Sequence, residues 1–131
     1  MATILVVEDN PATRELLREF LQGDGHTVLE ASTGLEALTV AGVASPDLIL
    51  LDLRLPDAHG FDLARRLRQE PHMTTIPILA LTAYPGDPGA EALTDSGCTG
   101  YLTKPISLEL LREALQHYLA GSEGQPAPDG G

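Results

Sequence analysis

The segment from Leu48 to Gly60 constrains this chain most: four apolar residues, Leu48 to Leu51, follow one another with no polar alternation and stop at Asp52. A strand exposed on one face alternates apolar with polar residues, whereas a strand covered on both faces does not, so this run predicts a central strand of a parallel sheet. Open parallel sheets hold ligands beyond the carboxyl ends of their strands. Asp52 stands at such an end, ahead of a loop containing Pro56, Asp57 and Gly60, and marks a candidate site.

The rest of the chain supplies partners for that strand. Thr3 to Val7 is a second continuous apolar run ending in acid, at Glu8 and Asp9. Asn10 and Pro11 offer an N-cap and a first-turn proline to a helix with Leu16, Leu17, Phe20 and Leu21 inward, stopped by Gly23-Asp24-Gly25. His26 to Ala31 reads as a strand. Ser32 or Thr33 caps a second helix running to about Val43, with Leu35, Leu38, Ala41 and Gly42 inward. After Gly60 a third helix sets Phe61, Leu63, Ala64 and Leu67 against a solvated Arg65, Arg66 and Arg68, and Pro71 marks its end. Ile76 to Leu81 predicts a fourth strand, ending in Thr82. Pro85, Gly86, Pro88 and Gly89 crowd the next connection, so a short helix at about Ala90 to Ser96 is expected to be weakly held. Gly100 to Thr103 makes a fifth strand, closed by Lys104-Pro105, and Ser107 caps a last helix to about Leu119. That helix turns Leu108, Leu111, Leu115 and Leu119 inward and leaves Leu110 off the stripe.

Strands alternating with helices specify a parallel sheet with right-handed crossovers and helices on both faces. The fold class expected is α/β, a flavodoxin-like doubly wound sheet of five strands in the order 2-1-3-4-5, with five helices. This order sets the ends of the first and third strands side by side at the topological switch point. Glu8, Asp9 and Asp52 then converge, with Thr82 and Lys104 arriving from the fourth and fifth strands. Residues 1–119 form the domain. Residues 120–131, rich in Gly, Pro and acid without apolar periodicity, read as a disordered tail.

Charge and composition narrow the function classes. Eight basic residues against nineteen acidic give a net charge of −11, which argues against nucleic acid or an anionic membrane as direct partner. The single cysteine, Cys98, forms no intramolecular disulfide, and the amino terminus reads as a strand rather than a leader, so a cytoplasmic location is expected. Lys104 is the only lysine, the other seven basic residues being arginine. A compact ammonium differs chemically from a planar guanidinium.

Three carboxylates within a few ångströms repel one another, and at least one has its pKa raised unless a cation balances them. Oxygen ligands at a solvated site suit Mg2+, which retains several waters and takes one or two carboxylates plus phosphate oxygens. A metal, a lysine, a hydroxyl and a carboxylate nucleophile together describe phosphoryl transfer to aspartate.

The acid pair Glu8-Asp9, the segment DLRLPDAHG from 52, LTAY at 81–84 and YLTKPI at 101–106 resemble the receiver domain of bacterial two-component response regulators, over about residues 3–119. The resemblance implies that Asp52 accepts a phosphoryl group from a histidine kinase or histidine phosphotransfer protein. It implies that Asp9, Asp52 and the backbone carbonyl of Arg54 bind Mg2+ directly, with Glu8 acting mainly through water. Lys104 would contact one phosphoryl oxygen, and Thr82 with the amide of Ala83 another. Thr82 and Tyr101 would form the switch that remodels a protein-binding face made by the fourth helix, fifth strand and fifth helix. Such a protein is not an enzyme beyond catalysing its own phosphorylation and slow dephosphorylation.

Arg54 and Tyr84 occupy positions that tune phosphoryl lifetime in this family, and their bulk predicts an altered lifetime. The family assigns His59 no catalytic role. A pseudo-receiver binding partners without phosphorylation is the alternative, with an aspartate-nucleophile phosphohydrolase behind it, since that chemistry wants an acid where Arg54 stands.

Overall fold

The structure, a computed structural model, describes residues 2–83 and 90–122. Tyr84, the Pro- and Gly-rich stretch 85–89 and residues 123–131 of the tail lie outside the described residues. The elements alternate as the sequence predicts: β1 (Thr3–Val7), α1 (Pro11–Gly23), β2 (Thr27–Ala31), α2 (Gly34–Val43), β3 (Leu48–Asp52), α3 (Gly60–Arg68), β4 (Ile78–Thr82), α4 (Ala90–Ser96), β5 (Gly100–Thr103) and α5 (Leu108–Ser122). All strand pairs are parallel and the order is β2-β1-β3-β4-β5.

The two-sided burial expected of the apolar runs is borne out residue by residue. Leu48, Ile49, Leu50 and Leu51 are all fully buried. Side chains alternate across a strand, so Ile49 and Leu51 join Leu5, Val7, Ile78 and Ala80 under α2, α3 and α4. Leu48 and Leu50 join Ile4, Val6, Leu79 and Leu81 under α1 and α5. Each such side chain contributes roughly 2 kcal/mol by leaving water.

Local signals hold where capping chemistry sets them. Asn10 accepts the Thr13 amide at 3.0 Å and Ser107 Oγ accepts the Leu110 amide at 3.2 Å. Of the two candidate caps for α2 it is Thr33 that accepts the Glu36 amide, at 3.1 Å. Gly25 turns the chain with φ of 93° after α1, a left-handed conformation that glycine adopts without steric cost.

Several expectations need correction. Leu35 is 70% exposed and Gly42 lies outside, while Ala37 and Ala41 face the sheet. α2 is apolar nearly all round, so periodicity does not select its inner face, and the small alanines let the helix approach. Leu16 is also exposed, because the α1 face centres on Leu17 and Leu21. β4 begins at Ile78 rather than Ile76: Pro77 has no amide for the ladder, although its carbonyl accepts the Ile49 amide at 3.0 Å. A 3-10 turn at Pro71–Met73 was not anticipated, and it buries Met73. Arg68 is not a solvated charge. It donates to the Gly97 carbonyl at 2.7 Å and the Met73 carbonyl at 2.7 Å, tying α3 to the turn after α4. α5 continues past Leu119 to Ser122.

Candidate functional site

The register brings the strand ends together. Val7 pairs with Leu51, Asp52 with Leu81 and Thr82 with Thr103, so Glu8, Asp52, Thr82 and Lys104 emerge along one edge of the sheet. They line a cleft of about 340 Å3 together with Asp9, Arg54 and Ala83. Among the described residues, every site residue named from sequence lies on this cleft except Tyr101, which faces outward from β5, half exposed, opposite Ala80 of β4.

Backbone contacts hold the two buried acids, Glu8 and Asp52, in place. The Glu8 amide donates to the Ala31 carbonyl at 3.0 Å, and Arg14 Nη1 donates to the Glu8 carbonyl at 2.9 Å. The Glu8 side chain is completely buried, with Oε2 accepting the Asn10 amide at 3.1 Å. Its Oε1 lies 3.0 Å from Lys104 Nζ, an ion pair, yet no donor among the described residues meets it in hydrogen-bond alignment. Asp52, only 4% exposed, splits its oxygens: Oδ1 accepts the Arg54 amide at 3.0 Å and Oδ2 lies 3.3 Å from Lys104 Nζ. Asp9 is exposed at the mouth. The Lys104 amide donates to the Thr82 carbonyl at 2.7 Å, which fixes the lysine beside β4.

The electrostatics follow from this packing. Burial, with the Asp52 charge added, pushes the Glu8 carboxyl above its ordinary value although Lys104 and the Asn10 amide pull it down. Burial by itself lowers the pKa of Lys104, but Glu8 and Asp52 outweigh it and the net direction is upward. One ammonium thus serves two buried carboxylates, with a third close by.

Carboxylate oxygens of Glu8, Asp9 and Asp52 all lie within 4.8 Å of one another. This all-oxygen set, open on the Asp9 side and holding a buried oxygen without an aligned donor, fits a hard divalent cation such as Mg2+. The donor set carries no sulfur or imidazole of the kind that would favour zinc or copper.

Two helix-capping roles beside the cleft escaped the sequence reading. Asp57, on the same connection as Asp52, reaches across to α2 and accepts the Gly34 amide at 2.8 Å and the Leu35 amide at 3.0 Å. No local pattern signals a cap supplied from so far along the chain. His59 lines the cleft and caps α3, its Nδ1 accepting the Phe61 amide at 3.0 Å. Only its place just before an apolar helical stripe hinted at the cap. Gly60 makes this fold-back possible, since a Cβ there would sit 2.7 Å from Leu53 Cα and 2.8 Å from the Asp52 carbonyl oxygen.

Known proteins share this fold. Residues 4–116 match the family model of the response regulator receiver domain. The polar-differentiation response regulator DivK of Brucella ovis is 33% identical over 117 residues, covering 89% of this chain and 95% of the relative. The crystal structure of chemotaxis protein CheY4 from Vibrio cholerae superposes with a TM-score of 0.87 at 34% identity, covering 91% of this chain and 99% of that one. The receiver domain of a sensor histidine kinase from Pseudomonas aeruginosa, solved with a magnesium ion coordinated in its active site cleft, gives a TM-score of 0.82 at 33% identity, with 91% and 98% covered. With its fold, its acidic cleft and the family match in agreement, this chain belongs to the response regulator receiver domain family.

Proposed function

We propose that Asp52 is the phosphoacceptor of a two-component or phosphorelay system and that its Mg2+-dependent phosphorylation switches a protein-binding surface. The observation that carries this reading is the convergence of three carboxylates and Lys104 on one cleft at the sheet edge. The magnesium-bound relative from Pseudomonas supports the choice of ion. Asp9 and Asp52, with the Arg54 carbonyl, would hold the cation, and Glu8, pinned by the Asn10 amide, would act through water.

Bound there, the ion would neutralise carboxylate charge and screen the incoming phosphoryl oxygens. An Asp52 oxygen attacks phosphorus, the N–P bond of a donor phosphohistidine breaks, and its electron pair returns to the imidazole. Lys104, held between Glu8 and Asp52, turns its ammonium to a phosphoryl oxygen. Thr82 and the Ala83 amide take another, drawing Thr82 inward. Tyr101, half exposed in this structure, follows into the space vacated and alters the face of α4, β5 and α5. A downstream protein target reads that face. The chain performs no turnover beyond its own phosphorylation and slow dephosphorylation, and it works in the cytoplasm. Among the described residues no helix is long and apolar enough to cross a membrane.

Incubation with Mg2+ and acetyl phosphate, followed by mass spectrometry, tests the assignment. A phosphoryl adduct that needs Mg2+ and disappears in Asp52→Ala is expected. No adduct, or one that survives this substitution, contradicts the reading.

A further inference from the structure

His59 stands at the phosphoacceptor cleft with one ring nitrogen committed and the other without a partner among the described residues. The loop after β3 folds back so that His59 faces Arg54 across an antiparallel bridge, secured by the Gly60 amide donating to the Leu53 carbonyl at 2.8 Å. This closure places the solvent-exposed His59 on the cleft that Asp52 and Thr82 also line. Because Nδ1 accepts the Phe61 amide, it carries no proton, and the neutral ring must bear its hydrogen on Nε2. Ring packing against Phe61, with centroids 5.1 Å apart, further restricts the imidazole. Nε2 has no hydrogen-bond partner among the described residues.

We infer that His59 is a phosphoryl-binding residue, its Nε2–H donating a hydrogen bond to the group carried on Asp52. This rests on the phosphoacceptor reading of Asp52. A phosphoryl group brings negative charge into a cleft whose one lysine already faces two carboxylates, so a further preorganised donor is favourable there. The tautomer decides the role. With its only lone-pair nitrogen occupied by the helix amide, His59 takes no proton from an attacking water, so it stabilises bound phosphoryl rather than speeding its hydrolysis.

The test uses beryllofluoride, a phosphoryl mimic, titrated into the full chain at saturating Mg2+ and followed by amide NMR. His59→Ser keeps an oxygen to cap α3 but is too short to place a donor in the cleft. A charge-assisted hydrogen bond lost in this way weakens beryllofluoride binding about tenfold, while Mg2+ affinity, read separately, stays as in the parent chain. His59→Asn, which retains both cap and N–H, recovers part of the loss. In the parent chain the His59 Nε2–H resonance shifts on adding beryllofluoride, a readout that does not depend on any variant folding. Equal affinity in His59→Ser, or an unmoved Nε2–H signal while the mimic binds, overturns the role of His59 alone. A parent chain that binds no mimic overturns the phosphoacceptor reading together with it.

Discussion

Asp52 and Asp57 lie on one connection, yet their surroundings are opposites. Asp57 meets two helix amides and little else, so its carboxyl is held below the ordinary value by the Gly34 and Leu35 N–H groups. Asp52 shares a single ammonium with Glu8, whose carboxyl is pushed up by burial. The first acid is satisfied and holds the loop to α2. The second belongs to a cluster whose charges are left under-compensated, which is costly in the resting protein and useful to a cation or phosphoryl group. The difference separates acids placed for architecture from acids placed for chemistry.

Removing the cation at the centre of the cluster breaks the comparison most severely. Lys104→Ala leaves Glu8 and Asp52 facing each other in a buried setting, and a loss of about 3 kcal/mol is expected in metal-free chemical denaturation, partly restored by Mg2+. Lys104→Arg keeps the charge but not the compact ammonium, and phosphorylation-linked shifts at Tyr101 in amide NMR should weaken. Neutralising one acid acts in the opposite sense. Asp52→Asn removes the charge that helps push Glu8 upward and should raise the Tm of the metal-free chain by a few degrees, while abolishing the proposed phosphorylation. At the other acid, Asp57→Ala removes a helix cap and should lower Tm by a few degrees while leaving Mg2+ affinity unchanged.

The pH profiles sharpen the contrast with smaller effects of opposite sign. Glu8 has a folded pKa above its unfolded one, so its contribution is present in acid and is lost as pH rises through the raised value. Asp57 has a folded pKa below its unfolded one, so its contribution is present above the ordinary carboxylate range and is lost as pH falls through the lowered value. Thermal melts should therefore separate from the parent chain in opposite directions as pH rises out of the acid range, with Glu8→Gln gaining on the parent and Asp57→Ala falling behind it, and both differences should shrink in acid. Parallel profiles would show that the two acids are not distinguished as described.

The sequence exposes the chemical half of this contrast and hides the architectural half. Asp52 was legible because an unbroken apolar strand cannot absorb an acid without reason; Glu8 and Asp9 follow a similar strand, Thr82 ends another, and Lys104 follows the shorter β5. Strand ends in a parallel sheet are brought together by topology, so placing the strands places the residues. The inner face of α2 was not legible, since Leu35, Leu38, Val40 and Val43 surround it with apolar surface and only packing selects Ala37 and Ala41. The Asp57 clamp and the Arg68 contacts to Gly97 and Met73 join segments distant in sequence, where neither periodicity nor spacing carries information.

The under-compensated cluster is proposed as a cation site serving Asp52. Titration of the metal-free chain with Mg2+, followed by amide NMR, tests it most directly. A saturable response confined to the cleft, centred on Asp9, Asp52, Arg54 and Lys104, and lost in Asp52→Asn but kept in Asp57→Ala, is the result predicted. A response that is absent, unsaturable, or undiminished in Asp52→Asn contradicts the claim.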